Sequence, residues 1–289
     1  MSFTSNQPLV SVLMTAYNRE DYIAEAIGSV LASEYKNFEL IITDDGSTDG
    51  TITIANQFAA ADSRVMVHRN AKNLGQFENR NFAASLAKGK YIKYLDSDDK
   101  FYPFSIGYCV EMMQKNPTAE WGLLSLDKAD ENVFLTPGQA IFRHFFEKPF
   151  LMIGPDGSIY KKAFFDRLGG FSLKYGPAND VYTNLIAASK GSMVLLTKDF
   201  FFYRLHEGQA MNNSFGYLYN NYLVSKDAQL FLKDHLSKKQ LAFVDNKNKR
   251  RFLKNVVMYF CKTFNISKTN MVLRKAGFTF KDALQGIFH

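Results

Sequence analysis

Residues 96–99, Asp-Ser-Asp-Asp, set three carboxylates and a hydroxyl side by side at the end of the apolar run "KYIKYLD". Like charges this close repel, and raise one another's pKa, unless a cation or hydrogen-bond donors intervene. The cluster is therefore either a solvated acidic turn or a place where something positive belongs. A hard-oxygen array of this kind suits Mg²⁺ or Mn²⁺, which take one or two protein carboxylates and leave the remaining positions to water and substrate phosphates. A second acidic pair, Asp44-Asp45, opens "DDGSTDG" after the apolar "LIIT". Gly46, Ser47 and Thr48 read as a tight turn and helix cap. Turn chemistry does not require two acids there, however, and Asp44 or Asp45 could accept from a nucleobase or a ribose. There is no G-x-G-x-x-G after the first apolar run and no G-x-x-x-x-G-K-[ST], which disfavours a dinucleotide or P-loop site.

These residues need elements to position them. "LVSVLMTAY" (9–17) has no helical period and reads as a strand covered on both faces. Ile23, Ile27, Val30 and Leu31 follow at helical spacing. "FELIIT" (38–43) is a second strand, with a helix capped by Ser47 or Thr48 running to about Ala60. "RVMVHR" (64–69), "GQFENRNFAASLAK" and "KYIKYLD" (90–96) continue the alternation as strand, helix and strand. That alternation predicts an α/β fold with a parallel, doubly wound sheet. The polar segments Thr15–Asn18, Asp44–Gly46 and Asp96–Asp99 then all fall at carboxyl ends of strands, where open α/β sheets bind ligands.

The second half is less regular. A helix is expected over 103–116, a strand in "EWGLLSLD" and a helical stretch over 138–147. "FLMIGPDGSIYKKAFFDRLGGF" reads as strand, turn, strand and a short helix ended by Gly169-Gly170. "NDVYTNLIAASKG" is a helix with its acid in the first turn, and "SMVLLTKDFFFYRLH" supplies one or two strands. From about residue 214 the apolar spacing is helical to the end.

The chain has 289 residues, 46% hydrophobic and 22% charged, enough for one large domain or a domain with an appendage. Cys109 and Cys261 fit no metal or disulfide spacing, so a reducing, cytoplasmic compartment is expected. No signal-peptide pattern and no bilayer-length apolar run is read. Residues 226–289 carry 14 Lys/Arg against 4 Asp/Glu, a net of +10 on a chain whose total is +7. Such a basic segment is either a solvated helical face or the contact for an anionic surface. It carries no nucleic-acid motif, so no nucleic acid is expected. Lys249, Arg250, Arg251 and Lys254 interleave with Phe252, Leu253, Val256, Val257, Tyr259 and Phe260. That pattern fits peripheral seating on an anionic membrane face, packing on the rest of the chain, or a homodimer contact.

Taken in order, "VSVLMTAYNREDYIAEAIGSVLAS", "FELIITDDGSTDGT", "NLGQFENRN" and "GKYIKYLDSDD" closely resemble the nucleotide-sugar-binding half of the GT-A glycosyltransferases of the large inverting family 2. The resemblance is strong over residues 8–100, thins from 101 to 205 and is absent beyond about 215. It implies a GT-A domain over 1–213, made of a nucleotide-sugar half (1–100) and an acceptor half (101–213), with a basic helical region over 214–289. Carried over residue by residue, it implies that Thr15, Ala16, Tyr17 and Asn18 line the base pocket. Asp44 and Asp45 would meet base and ribose, and Arg80 the base edge or phosphates. Asp96 and Ser97 would touch ribose or sugar, while Asp98, with Asp99 beside it in this DXD-type motif, would bind Mn²⁺ or Mg²⁺. The family more often has Pro at the position of Thr15. A general base is implied at Asp180, in "YGPANDVYTNL", where Asn179 replaces the usual first acid. In "YRLHEGQAMNNS" (203–214), His206, and after it Arg204, would approach the diphosphate or metal.

The implied reaction moves a sugar from a nucleoside diphosphate-sugar, a UDP-sugar first, to an acceptor hydroxyl with inversion. The acceptor would be a saccharide or lipid-linked saccharide in surface polysaccharide synthesis. Two other classes compete with it. A two-carboxylate glycosidase needs neither metal cluster nor nucleotide pocket and is poorly supported. A catalytically degenerate nucleotide-sugar-binding or membrane-associated scaffold is kept open by Asn179.

Overall fold

The computed structural model describes residues 7–127, 129, 133–206 and 214–288. Its first half is a run of alternating strands and helices: β1 (Val10–Ala16), α1 (Ile23–Leu31), β2 (Phe38–Asp44), α2 (Thr51–Ala61), β3 (Val65–Arg69), α3 (Gln76–Leu86) and β4 (Tyr91–Tyr94). After these come β5 (Lys100–Phe101), α4 (Ser105–Lys115), β6 (Trp121–Leu124), β7 (Phe134–Leu135) and α5 (Pro137–Phe142). The chain continues through β8 (Ser158–Lys161), α6 (Lys162–Leu168), α7 (Asn179–Lys190), β9 (Met193–Leu196) and β10 (Phe201–Phe202). Four helices close it: α8 (Ser214–Leu232), α9 (Lys238–Thr263), α10 (Ile266–Ala276) and α11 (Phe280–Phe288).

By contacts the chain divides into two compact units. Met1–Thr136, Met152–Phe171 and Gly191–Leu205 form the first; Pro137–Leu151, Ser172–Lys190 and His206–His289 form the second. The division is spatial rather than sequential, so α5 and α7 fall with the C-terminal helices and not with the sheet.

The first unit is built on an eight-stranded sheet of order β3-β2-β1-β4-β8-β6-β9-β7. Strands β3, β2, β1 and β4 are parallel; β8 runs antiparallel between β4 and β6; β9 returns parallel to β6. Central position explains the unbroken apolar runs, since β1 and β2 are covered on both faces and Val12, Leu13, Met14, Leu40, Ile41 and Ile42 are all fully buried. Helix α1 seats Ile23, Ala26, Ile27 and Val30 in the same core, one apolar stripe at helical spacing. Beneath β4, Tyr94, Phe165 and Phe171 pack ring against ring at 5.4–6.0 Å. Helix α6 ends at Gly169, whose φ of 83° is the left-handed cap that glycine adopts without penalty.

Two expectations change. Residues 150–153 form no strand, and a 3-10 turn over Pro155–Gly157 leads directly into β8. Helix α2 is preceded by Gly50, and its first amide is taken by Asp49 rather than by Ser47 or Thr48. The helical stretch expected over 138–147 is present, as α5 continued by a π turn over Arg143–Glu147.

The second unit is helical. Tyr222, Phe252, Val256, Val272 and Ala276 form a core shared by α8, α9 and α10. Ser237 and Gln240 make a reciprocal capping box at the start of α9. Within the interleaved basic-aromatic stretch, Phe252 and Val256 thus face this core, and Lys249 is buried against Asp245 and Asp282. Phe252 and Val256 therefore pack within the helical unit, while Lys254 and Val257 of the same stretch remain exposed. No helix among the described residues is long and apolar enough to cross a membrane.

Candidate active site

Parallel pairing carries the ends of β1, β2 and β4 to one edge of the sheet, with Ala16 level with Asp44 and Leu13 level with Tyr94. The loops beyond are tied to one another. Asn18, at a left-handed φ of 51°, accepts at Oδ1 from the Thr48 amide (2.9 Å), and its own amide donates to Ser47 Oγ (2.9 Å). Left-handed backbone costs Asn less than most residues, which suits a locked turn. Arg19 donates through Nε to Asp98 Oδ2 (3.0 Å), bridging the β1 and β4 loops.

The acidic loop after β4 has a partner for each carboxylate. Arg80, on α3 and 2% exposed, donates to Asp96 Oδ1 at 2.5 Å. Asp98 has Arg19. Asp99 Oδ1 accepts from the Arg204 amide (2.8 Å), while Arg204 Nε donates to the Asp98 carbonyl (2.9 Å). Beneath them is the buried Asp156, whose Oδ1 accepts from the Asp96 amide (3.0 Å) and whose carboxyl interacts with that of Asp99. Burial pushes Asp99 up to about 6, and burial with the neighbouring Asp96 and Asp99 raises Asp156 well above the carboxylate range. Lys93, fully buried, donates to the Asp156 carbonyl and lies over the Phe101 and Phe200 rings; burial lowers its pKa. The clustering of Asp96–Asp99 is therefore borne by guanidinium groups and amides already present in the protein.

The β2 pair divides its labour. Asp45 is saturated: Oδ1 accepts from Asn70 Nδ2 (2.9 Å) and the Leu74 amide (2.7 Å), Oδ2 from the Gly75 amide (2.8 Å). It holds the loop that enters α3. Asp44 Oδ1 accepts from the Ser47 amide (3.1 Å), yet its Oδ2 is enclosed without a hydrogen-bond partner. An enclosed carboxylate oxygen of this kind is costly unless a donor arrives.

Of the remaining expected residues, Thr15 and Ala16 end β1, Ala16 buried, with Tyr17 exposed beyond it. Ser97 is buried within the acidic loop. Arg80 faces Asp96 rather than open solvent, since its guanidinium is enclosed against Phe77. Asp180 stands in the first turn of α7, and Asn179 is buried, its Oδ1 accepting from the Tyr175 amide (3.0 Å). Asp180 and His206 belong to the second unit, whereas Arg204 belongs to the first and grips the acidic loop. Of the loop 203–214, residues 207–213 lie outside the described residues.

Sequence reasoning missed Arg19 and Asp156. Arg19 directly follows the Tyr-Asn pair at the end of β1, where a cation beside an acidic site could have been suspected. Asp156 offered no signal within its turn-like "GPDG".

Among the described residues no group of three or more His, Cys, Asp or Glu is arranged to hold a metal ion. The chemistry of Asp98 fits a hard cation nonetheless, because Mg²⁺ and Mn²⁺ sites of this kind use one or two carboxylates and complete themselves with phosphate and water.

A model of glycosyl transferase family 2 matches residues 11–166. The chain belongs to this family. The matched span holds every strand-end loop described above except the segment carrying Arg204. An Escherichia coli protein named UDP-Glc:alpha-D-GlcNAc-diphosphoundecaprenol beta-1,3-glucosyltransferase WfaP is 42% identical over 106 residues, 37% of this chain and 41% of that protein. The chain matches the first curated relatives over only 34–46% of their length. Staphylococcus aureus TarS (residues 1–349) in complex with UDP-GlcNAc has a similar fold, with TM-score 0.72 and 19% identity over 96% of this chain and 81% of that one. The mannosyltransferase PcManGT of Pyrobaculum calidifontis in complex with GDP-Man and Mn²⁺ gives TM-score 0.65 and 15% identity, covering 98% and 84%. These likenesses show the fold of this family 2 chain, which is GT-A.

Proposed function

We propose that the chain is a metal-dependent, inverting glycosyltransferase that moves a sugar from a nucleoside diphosphate-sugar to an acceptor hydroxyl. The observation that carries this reading is the knitting of the β1, β2 and β4 loops into one polar edge, with an enclosed oxygen of Asp44 left for a ligand. Asp44 Oδ2 accepts a nucleobase N–H, and Tyr17 lies against the base beside Thr15, Ala16 and Asn18. Asp96 and Ser97 meet ribose or sugar. Asp45 and Arg80 hold the walls, Arg80 by fixing Asp96. Asp98, with Asp99 beside it, holds Mn²⁺ or Mg²⁺; His206 is a further candidate. When bound, such an ion neutralises charge gathering on the departing diphosphate.

The donor is a UDP-sugar on this reading, in line with the UDP-Glc in the E. coli relative's name and the UDP-GlcNAc complex of TarS. The GDP-Man complex of PcManGT keeps guanine as the outcome that would revise it. The acceptor is a saccharide or lipid-linked saccharide in surface polysaccharide synthesis, for which the diphosphoundecaprenol in the E. coli relative's name is the support. The acceptor oxygen bonds to the anomeric carbon from the face opposite the diphosphate, and the carbon–oxygen bond to phosphate breaks. The electron pair leaves with the diphosphate, and the hydroxyl proton passes to Asp180. A cytoplasmic setting is proposed with the nucleotide-sugar donor, and a homodimer is a further partner reading.

A panel of nucleoside diphosphate-sugars tested by thermal shift with Mn²⁺ should single out one donor, since binding to the folded state raises the melting temperature. Diphosphate release should then require a saccharide acceptor. Donor binding with no release under any acceptor would support the scaffold reading, which the amide at Asn179 favours.

A further inference from the structure

The helical unit ends α9 in an unusual way. Phe264 occupies the C-cap position at a left-handed φ of 49°, a conformation that strains a bulky side chain, and it is 78% exposed. Strain of this kind persists only where surroundings impose it or function uses it, and burial offers Phe264 no return. Two residues on, Ile266 is 66% exposed at the start of α10. Val257 and Met258, on the last turns of α9, are likewise more than half exposed. Their neighbours Phe252 and Val256 fill the core, so α9 also carries an outward pair, Val257 and Met258, that stays more than half exposed among the described residues.

The charge around this corner has one sign. Lys254, Lys262 and Lys268 are exposed on either side of it. Between Asp245 and Asp282 the chain has ten Lys or Arg and no Asp or Glu. An ordinary solvated helix mixes both signs, whereas an apolar tip ringed only by lysines complements an anionic surface with an apolar interior.

We propose that the α9–α10 corner is a membrane-insertion tip. Phe264 and Ile266, with Val257 and Met258 behind them, enter the headgroup–acyl boundary of an anionic bilayer. Lys254, Lys262 and Lys268 meet lipid phosphates. The left-handed turn places Phe264 at the end of α9 with its ring edge-on to Phe260 at 6.1 Å and 78% of the residue exposed. This inference does not depend on the sugar-transfer reading.

Sedimentation of the full chain with vesicles tests it. Wild type should pellet with phosphatidylglycerol vesicles at low salt, stay in solution with phosphatidylcholine vesicles, and be partly released by high salt. Ile266→Asp should lower binding at least tenfold. Lys262→Glu with Lys268→Glu should do the same, each charge near an anionic surface being worth several-fold. Phe264→Gly is the discriminating variant, because it relieves the backbone strain. It should melt at the wild-type temperature or above while binding vesicles several-fold more weakly. A purely structural Phe264 predicts the opposite, a lower melting temperature with unchanged binding, and that result would overturn the proposal. So would wild type remaining in solution with phosphatidylglycerol at low salt. If these variants instead abolished a concentration-dependent dimer without altering vesicle binding, the occupant would be a second copy and the tip would fall.

Discussion

The two units bury polarity in opposite ways. The sheet unit encloses Glu39, Asp44, Asp45, Arg80, Lys93, Asp98, Asp99 and Asp156, most of them at or beneath the carboxyl ends of β1, β2 and β4. The helical unit encloses mainly neutral groups, Asn179, Asn184, Asn220, Asn248 and His144, with Lys249 as its paired exception. Desolvating charge is expensive, and replacing buried ions by apolar residues is often neutral or better for stability. A region that retains so many is therefore a candidate for function on physical grounds. The difference teaches where charge is tolerated for chemistry and where the same chain avoids it.

The first way to break that contrast is Asp180, the helical unit's proposed participant. If chemistry needs a base from α7, Asp180→Asn should lower turnover by on the order of 10²–10⁴ and leave donor affinity unchanged. Near wild-type transfer by this variant would confine the chemistry to the sheet unit and remove Asp180 as base. Asn179→Glu is the companion: recovered or raised transfer would mark the amide there as a lesion.

Next in size is the stem under the acidic loop. Asp156→Ala strips the acceptor from the Asp96 amide and the neighbouring carboxyl from Asp99, leaving buried groups unsatisfied. Breaking such a network costs about 3 kcal/mol. Chemical denaturation should report that loss, and Asp156→Asn, which keeps an acceptor for the Asp96 amide, should recover much of it. Equal losses in both variants would mean that the contact with the Asp96 amide is not what holds the loop.

Asp156 also marks the limit of what the sequence reveals. The parallel half was legible because β1, β2 and β4 are long apolar runs ending in polar loops, and order along the chain reproduces order at the sheet edge. The acids were legible by type. Their partners were not, because Arg19 meets Asp98 across 79 residues and Asp156 meets Asp96 across 60. Arg80 was expected to face ligand, yet its position on α3 turns it toward Asp96. The two-residue β7 escaped notice because so short an edge strand has no period, and residues 150–153 misled because an apolar run beside Gly-Pro looks like a strand. Assigning Asp180 to a helix start needed only "NDVYTNL"; assigning α7 to the helical unit needed the fold.

A smaller effect is expected at Asp98. Asp98→Asn retains a hydrogen-bond acceptor for Arg19 and removes the charge a divalent ion requires. Mn²⁺-dependent affinity for nucleoside diphosphate should fall roughly ten- to hundredfold by calorimetry, about 1.4–2.8 kcal/mol, with the melting temperature of the free protein little changed. Unaltered Mn²⁺-dependent binding would take Asp98 out of the metal site.

The smallest effect sharpens the contrast from the helical side. His144 Nδ1 accepts from the Phe150 and Leu151 amides, both at 3.1 Å, so the ring must be neutral at that nitrogen. Burial, with Arg251 and Lys247 nearby, lowers its pKa from 6.5 to about 4. A histidine depressed in the folded state binds its proton more readily when unfolded. Its contribution is thus fully present above pH 6.5 and is lost as pH falls toward 4. At pH 6 the loss is only about 0.7 kcal/mol relative to neutral pH, growing further below. His144→Asn places an amide oxygen where Nδ1 stands, keeps an acceptor for the two amides and cannot titrate. Urea midpoints should therefore slope downward between pH 7 and pH 5 more steeply in wild type than in the variant. Parallel slopes would show that His144 is free to protonate in place, and that the helical unit tolerates a buried charge after all.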